Sequence, residues 1–242
     1  MNYKLEVIGF TIEGCMAAQS AGAHRIELCD NPGEGGTTPS YGFIKAAREK
    51  LNIELYPIIR PRGGDFLYCE AEFGIMKTDV LACKQLGCDG IVTGILNEDG
   101  TVDKVRCAEL IRLAYPLGVT FHRAFDRTAD PFKAMEDIIE IGFERILTSG
   151  LVPNALDGSE LIAKLVEQAG ERIIIMPGSG VRSENILEIA TKTKATEFHT
   201  SARISEPGKM KYHQKSLNED LRSITVNVAE IQQILSILSK AL

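Results

Sequence analysis

Ala21-Gly-Ala-His-Arg-Ile-Glu-Leu28 decides the fold, together with its counterparts Leu86-Gly-Cys-Asp-Gly-Ile-Val92 and Ile141-Gly-Phe-Glu-Arg-Ile-Leu147. Each string leaves a segment of helical period, passes a glycine (Gly22, Gly87, Gly142), and enters a short β-type run two or three residues later. Glycine tolerates the left-handed conformation that closes a helix, so each glycine marks a helix-to-strand joint. One joint repeated along the chain means one unit repeated. Working outward from the joints gives eight β-type runs, at about 4–8, 25–29, 54–60, 89–93, 118–123, 144–148, 172–176 and 196–200. Between them, segments such as Phe132 to Ile141 and Leu156 to Ala169 carry apolar residues at spacings of three and four, as helices outside a barrel do. Strands alternating with helices call for a parallel sheet, and eight of them within 242 residues call for closure. The expected fold class is α/β, a single (β/α)8 TIM barrel, a fold that usually takes about 250 residues.

One domain over 1–242 is therefore expected, since no Pro/Ser-rich linker interrupts the series. A long polar loop at about 205–225 precedes a last helix starting near Asn227, with Glu230 three residues on as a capping box. That loop either closes over the top face, builds a subunit contact, or is a surface excursion. Charge excludes nucleic acid as a partner: 27 Lys and Arg are scattered among 33 acids, for a net charge of −6. The longest apolar runs, such as Arg172-Ile-Ile-Ile-Met176, have strand length, so no membrane span is expected. The N-terminal stretch has an acidic residue and no small-residue cleavage site, which points to the cytoplasm. The six cysteines (15, 29, 69, 83, 88 and 107) form no Cys-x-x-Cys pair, so free thiols in a reducing compartment are expected.

Strand side chains alternate, and here one phase is apolar while the other is polar. Leu5, Val7, Ile26, Leu28, Ile59, Phe121 and Phe198 should face the helices. Lys4, Glu6, Arg25, Glu27, Cys29, Ile58, Arg60, Thr120, His122, Glu197 and His199 should face the axis. Buried charges must be paired, solvated or liganded. Lys4, Arg25, Glu27 and Glu197 lie early in their strands and can neutralise one another in the lower layers. Residues at strand ends converge on the active face of such a barrel, which collects Glu6, Cys29, Arg60, His122, Asp126, His199 and Ser201.

Within Phe121-His-Arg-Ala-Phe-Asp126, His122 can exchange a proton near neutral pH, Arg123 can hold a carboxylate or phosphate, and Asp126 can orient the imidazole; alternatively Arg123 and Asp126 pair and shape the loop. Arg60 and Arg62 flank Pro61 and suit an anionic ligand, or form salt bridges to Glu6 and Glu27. Gly178, Ser179 and Gly180 follow the seventh strand and Ser201 the eighth, where barrels of this kind hold phosphate on backbone N–H groups. Cys29 is the only cysteine at a strand end with an inward phase, hence the candidate thiolate; Cys83, Cys88 and Cys107 read as core.

Taken together, Arg25-Ile-Glu-Leu-Cys29, Glu34-Gly-Gly-Thr-Thr-Pro-Ser-Tyr-Gly42, Ile59-Arg-Pro-Arg-Gly-Gly-Asp-Phe-Leu-Tyr68, Thr120-Phe-His-Arg-Ala-Phe-Asp126, Arg145-Ile-Leu-Thr-Ser-Gly150 and Glu197-Phe-His-Thr-Ser-Ala202 closely resemble the CutC family of copper homeostasis proteins. The resemblance runs from Leu5 to about Ala202. It implies a cytoplasmic TIM barrel, generally a homodimer or higher homo-oligomer, tied to copper tolerance and Cu(I) binding or buffering. Of two cysteines discussed as copper ligands in the family, Cys29 matches the second; the first falls at Ile8, so this chain lacks that thiolate.

Two functions follow. In the first, Cys29 with His122 or His199, or with a symmetry mate's thiol, holds Cu(I). In the second, the chain is a lyase, isomerase or hydrolase acting on a small anionic or phosphorylated substrate. There Arg60, Arg62 and the Gly178–Gly180 turn hold the anion, and His122 with Glu6 or Glu27 exchanges protons, a divalent metal on His and Glu ligands being compatible with it. A barrel that acts only by association, through 205–225, is the third reading.

Overall fold

The computed structural model describes residues 3–240; Met1, Asn2, Ala241 and Leu242, at the ends of the expected 1–242 domain, lie outside the described residues. Eight parallel strands run as β1 (Lys4–Gly9), β2 (Arg25–Leu28), β3 (Glu54–Pro57), β4 (Gly90–Thr93), β5 (Gly118–Phe121), β6 (Arg145–Thr148), β7 (Ile174–Pro177) and β8 (Glu197–Thr200). Their hydrogen bonds form two arcs, β3-β2-β1-β8 and β4-β5-β6-β7. The arcs join where Ile58 bridges Val92, with the Ile59 N–H donating to the Val92 carbonyl at 2.7 Å. On the other side β7 packs on β8, and Thr200 Oγ1 donates to the Val181 carbonyl at 2.7 Å. The closed order is that of a (β/α)8 barrel.

Helices α1 (Ile12–Ser20), α2 (Tyr41–Lys50), α3 (Glu70–Gln85), α4 (Lys104–Ala114), α5 (Pro131–Ile141), α6 (Ser159–Ala169), α7 (Ile186–Thr193) and α8 (Val228–Lys240) surround it. Their starts are written in the sequence: Thr11, Ser40, Asp103 and Asp130 each accept a first-turn N–H, and Pro131 sits where its missing donor costs nothing. The joint glycines behave as read, with φ of +100° at Gly22, +75° at Gly87 and +99° at Gly142. Leu5, Val7, Ile26, Leu28, Ile59, Phe121 and Phe198 are fully buried in the layer between strands and helices.

Several expectations need correction. The run at 172–176 becomes a strand only from Ile174, because Arg172 turns outward to pair with Glu136 on α5. The 205–225 segment is not plain loop: β9 (Arg203–Glu206) and β10 (Ser223–Val226) pair antiparallel at its ends, with a 3-10 turn at Lys215–Leu217 between. The capping box is half formed. Asn227 Oδ1 accepts the Glu230 N–H at 3.2 Å, but the Glu230 carboxylate reaches Ser183 instead, at 2.7 Å to its N–H and 2.8 Å to its hydroxyl.

The lower interior is an ion-pair layer built on Arg25. Its Nε donates to Glu6 Oε2 at 2.5 Å, Nη2 to Glu197 Oε2 at 2.5 Å and Nη1 to Glu54 Oε2 at 2.9 Å. Arg145 adds a bond to Glu197 Oε2 at 2.7 Å and one to Thr120 Oγ1 at 3.1 Å. Both guanidiniums lie against Tyr56, at 5.1 and 5.7 Å from its ring centre. A Cβ on Gly90 or Gly118 would strike that tyrosine, so glycine at the start of β4 and β5 makes room for the plug. The expected ladder is thus corrected in membership: Lys4 pairs with Glu54 at the lower mouth, Glu6 joins the layer, and Glu27 does not.

Three carboxylates share Arg25, which is 1% exposed, so removing it strands buried negative charge. Arg25→Ala should destabilise the protein by about 3–5 kcal/mol, the range for breaking a buried ion pair from one side. Urea denaturation of the variant checks this; a loss below about 1 kcal/mol would show the layer to be structurally idle.

Candidate functional site

Above that layer the barrel opens into a cavity of about 220 Å³. Drug-sized ligands need roughly 300–1,000 Å³, so this space takes a small molecule. Ile8, Phe10, Ile58, Phe66 and Leu147 form its apolar wall; Glu27, His122 and His199 supply its deep polar groups; Arg123, Ser179, Gly180, Ser201 and Arg203 stand around its rim.

The floor is made by three adjacent strands. The register places Glu6 opposite His199 and Ile8 opposite Glu27, which brings the inward side chains of β2, β1 and β8 together. His199 Nδ1 lies 2.8 Å from Glu6 Oε1 and 3.7 Å from Glu27 Oε2. Burial alone would raise the Glu6 carboxyl, but the charge of Arg25 and the bond to His199 outweigh it and bring its pKa to about 2. Glu27 is buried without an arginine partner, and desolvation, aided by the charge of Glu6, lifts it to about 7 against the pull of His199. Burial disfavours a charged imidazole at His199, yet the bond to Glu6 and the two carboxylate charges win and raise its pKa above 6.5.

His122, the residue after β5, behaves in the opposite sense. It is 3% exposed, packs on Phe66 at 4.8 Å between ring centres, and accepts the Ala124 N–H on Nδ1 at 3.3 Å. Accepting on Nδ1 leaves the proton on Nε2, an assignment made from the hydrogen bond. That Nε2 is buried and has no partner. Burial, then the nearby charge of Arg60, pushes the imidazole pKa down to about 3. At neutral pH it is an uncharged donor on the cavity wall.

Several expected site residues do other work. Asp126 does not orient His122. Its carboxylate accepts from Thr148 Oγ1 at 2.5 Å, Ser149 N at 3.0 Å, Ser149 Oγ at 2.9 Å and Leu151 N at 3.2 Å, and pairs with Arg123 Nε at 2.7 Å, tying the β5 turn to the end of β6. Arg60 and Arg62 do not form a clamp, nor do they pair with Glu6 or Glu27. Arg60 donates to the carbonyls of Glu34, Gly36 and Gly64 at 2.7, 2.8 and 2.8 Å and so pins two loops, though its buried Nε is left unpartnered. Arg62 turns outward to Glu72 at 2.6 Å and Asp65 at 2.9 Å. Gly178 backs onto Leu147 and His199, leaving no room for a side chain. Ser179 and Gly180 line the rim with φ of +77° and +71°, and their N–H groups donate to no backbone carbonyl among the described residues.

Cys29 is fully buried in a small apolar cluster with Ile8, Tyr56, Ile58 and Val92, and Gly36 closes over its sulfur. Burial, then the charges of Glu27 and Glu6, pushes the thiol well above its ordinary pKa. A protonated thiol at Cys29, with isoleucine at position 8 where the family's first cysteine would stand, does not fit a thiolate Cu(I) site. Arg145, Glu54, Tyr56 and Arg203 are the residues that sequence reading missed. The first three lie on the inward phase of their strands, and Arg203 follows Ser201 by two.

The CutC family model matches residues 3–204. The chain belongs to the CutC family. A CutC family protein from Chromobacterium violaceum is 51% identical over 212 residues, covering 88% of this chain and 86% of the relative. The human copper homeostasis protein cutC homolog is 46% identical over 215 residues, 89% of this chain and 79% of the relative. The crystal structure of CutC from Streptococcus agalactiae aligns with a TM-score of 0.78 at 36% identity, over 82% of this chain and 98% of that one. Phosphoribosyl anthranilate isomerase from Thermotoga maritima aligns at 0.62 with 12% identity, over 98% and 99%, and shares the fold alone. The CutC match ends at 204, so most of the β9–β10 hairpin and all of α8 lie beyond it. Among the described residues no helix is long and apolar enough to cross a membrane.

The two imidazoles should titrate apart. In nitrogen-detected NMR, His122 should stay the neutral Nε2–H form throughout the neutral range, while His199 should hold its second proton to higher pH than an ordinary imidazole. The sign carries over to stability: unfolded His122 takes a proton near 6.5 and folded His122 only near 3, so stability falls as pH drops through that window. His122→Gln should remove that part of the slope; an unchanged acid limb would contradict the assignment.

Proposed function

We propose that this chain is an enzyme-type member of the CutC family that holds a small anionic molecule, phosphorylated or carboxylated, in the barrel mouth and acts on it by lyase, isomerase or hydrolase chemistry. The observation that carries the reading is His122 Nε2, a buried donor on the cavity wall with no partner in the protein. Leaving such a donor unmade costs about 1–3 kcal/mol, which a ligand oxygen would recover. Its low pKa keeps it from charging, so it can polarise a carbonyl or phosphoryl oxygen as a neutral donor. Around it stand Arg123, with Nε and Nη2 engaged on Asp126 and Ser149, the exposed Arg203, and the N–H groups of Ser179 and Gly180. These suit an anion at the β7 and β8 ends. Glu6, Glu27 and His199 supply the reactive floor beneath it.

Copper homeostasis is the role in the name of the human relative, and it comes to this chain as the physiological setting of the same pocket rather than as Cu(I) stored on Cys29. The six free cysteines support a reducing, cytoplasmic setting. Exposed Met210, Tyr212 and Leu217 on the hairpin support a homo-oligomer contact there.

Calorimetric titration with inorganic phosphate and a panel of small phosphorylated and carboxylated metabolites tests the pocket. A panel member should bind, and His122→Ala should weaken it by about tenfold or more, the equivalent of losing one buried hydrogen bond. If nothing in the panel binds the parent protein, the reading falls. Cys29→Ser should leave any Cu(I) affinity, measured against a chromogenic chelator, where it was in the parent; a loss would restore the thiol reading.

A further inference from the structure

We infer that Glu6, Glu27 and His199 are the protein ligands of a divalent first-row metal ion, held in the floor of the barrel with one face open to the cavity. One oxygen of each carboxylate and one ring nitrogen lie within 4.8 Å of one another, close enough for a single ion to touch all three. They come from three neighbouring parallel strands and not from a loop, so the donor spacing is set by the sheet register. Arg25 grips Glu6 Oε2 at 2.5 Å and leaves Oε1 facing His199, which is how an outer partner orients a ligating carboxylate.

A second observation points to a ligand independently. Glu27 is 3% exposed, lines the cavity, and has no hydrogen bond or ion pair to a lysine or arginine among the described residues; the nearest cation-forming group is His199 Nδ1 at 3.7 Å. Nearly every other interior charge is used up: Arg25 and Arg145 are spent on Glu6, Glu197 and Glu54, and Lys4 on Glu54. A buried carboxylate held apart from the arginines must either take a proton or be joined by another cation, and a metal ion at this spot does the latter. With no metal bound, a proton on His199 Nδ1 bridges to Glu6 Oε1; the metal ion takes that proton's place on both atoms, the proton goes to solvent, and Glu27 completes the set.

The donor chemistry selects the ion. One imidazole with two carboxylates suits Zn(II), Mn(II), Fe(II) or Co(II). Calcium wants six to eight oxygens, and Cu(I) prefers sulfur, which Cys29 does not offer here. Three protein ligands with an open position is the pattern of catalytic sites, and Glu27 and His199 line the same cavity as His122. The inference rests on the anion reading above only for what fills that open side; the three ligands stand without it.

Titration of the chelator-stripped protein with Co(II), followed by visible absorption, tests it. One equivalent should bind with a ligand-field spectrum and no thiolate charge-transfer band, and Zn(II) should displace it. Glu27→Gln, which removes no hydrogen bond of the fold, and His199→Gln should each weaken Co(II) by more than the roughly 10–100-fold typical of outer-shell changes. Cys29→Ser should leave the spectrum unchanged. No ligand-field spectrum in the parent, or full affinity in both Glu27→Gln and His199→Gln, overturns the site. Phosphate added to the stripped protein reports on anion binding separately, and a change in the cobalt spectrum on adding phosphate shows the anion reaching the open face.

Discussion

The structure depends on how one arginine is neutralised inside a closed barrel. Arg25 stands at the lower centre, 1% exposed, with carboxylates from β1, β3 and β8 on its three nitrogens. An apolar plug would fill the same space at less risk, since buried ion pairs seldom add stability over well-packed hydrocarbon. What the ion pairs add is direction. Each carboxylate is aimed by a bond of defined geometry, and Glu6 in particular is held so that one oxygen turns down to Arg25 and the other up to His199. The lower layer therefore sets the floor of the upper cavity.

Charge is resolved below and left open above. Glu197 receives two guanidiniums and Glu54 a guanidinium and a lysine, whereas Glu27 receives neither. His122 repeats the contrast among imidazoles: two carboxylates shift His199 toward its charged form, while His122, beside Arg60 and aromatic rings, is held neutral with a free donor. Opposite shifts in one small cavity are the arrangement by which a fold places acid and base character side by side. Cys29 belongs to neither system. It fills a gap between Ile8 and Ile58 under a glycine, as a small apolar side chain would.

The barrel was legible because its signals are periodic. Helix-exit glycines, strand alternation and cap residues each depend on local geometry, and Gly22, Gly87 and Gly142 all took the left-handed conformation that the joint requires. Which residues share the interior was legible for the same reason, down to Glu6, Glu27, His122 and His199. How interior residues choose partners was not. Arg60 and Arg62, two positions apart, point to different surroundings because both lie past the end of β3, whose last bridge to the sheet is at Ile58, and strand phase ends with the strand. Glu54 and Arg145 follow the inward phase, but their partners sit 29 and 52 residues away in sequence and are set only by barrel closure. The β9–β10 hairpin escaped because its strands are four residues long and β9 is exposed throughout, so only Val226 at the end of β10 reaches the core.

Asp126 and Glu27 show why satisfaction, and not residue type, separates structural from functional groups here. Both are carboxylates in the upper barrel, Glu27 buried and Asp126 with a side chain only 4% exposed. Asp126 takes two hydroxyls, two backbone N–H groups and a guanidinium, so its negative charge is fully accounted for by the joint it makes between β5 and β6. A ligand could reach it only by breaking that joint. Glu27 has one shared proton-bearing neighbour and open space. The same test separates Arg60, three of whose donors hold loop carbonyls, from Arg203, which is exposed at the rim without an ion pair among the described residues. The buried atoms left without a partner among the described residues are His122 Nε2, Arg60 Nε and Tyr68 Oη, and Glu27 has only His199 at 3.7 Å; Glu27, Arg60 and His122 line one cavity. Incompletely satisfied polar groups gathered on one cavity wall are costly, which is why they mark the cavity and not the joints as the place to look for a ligand.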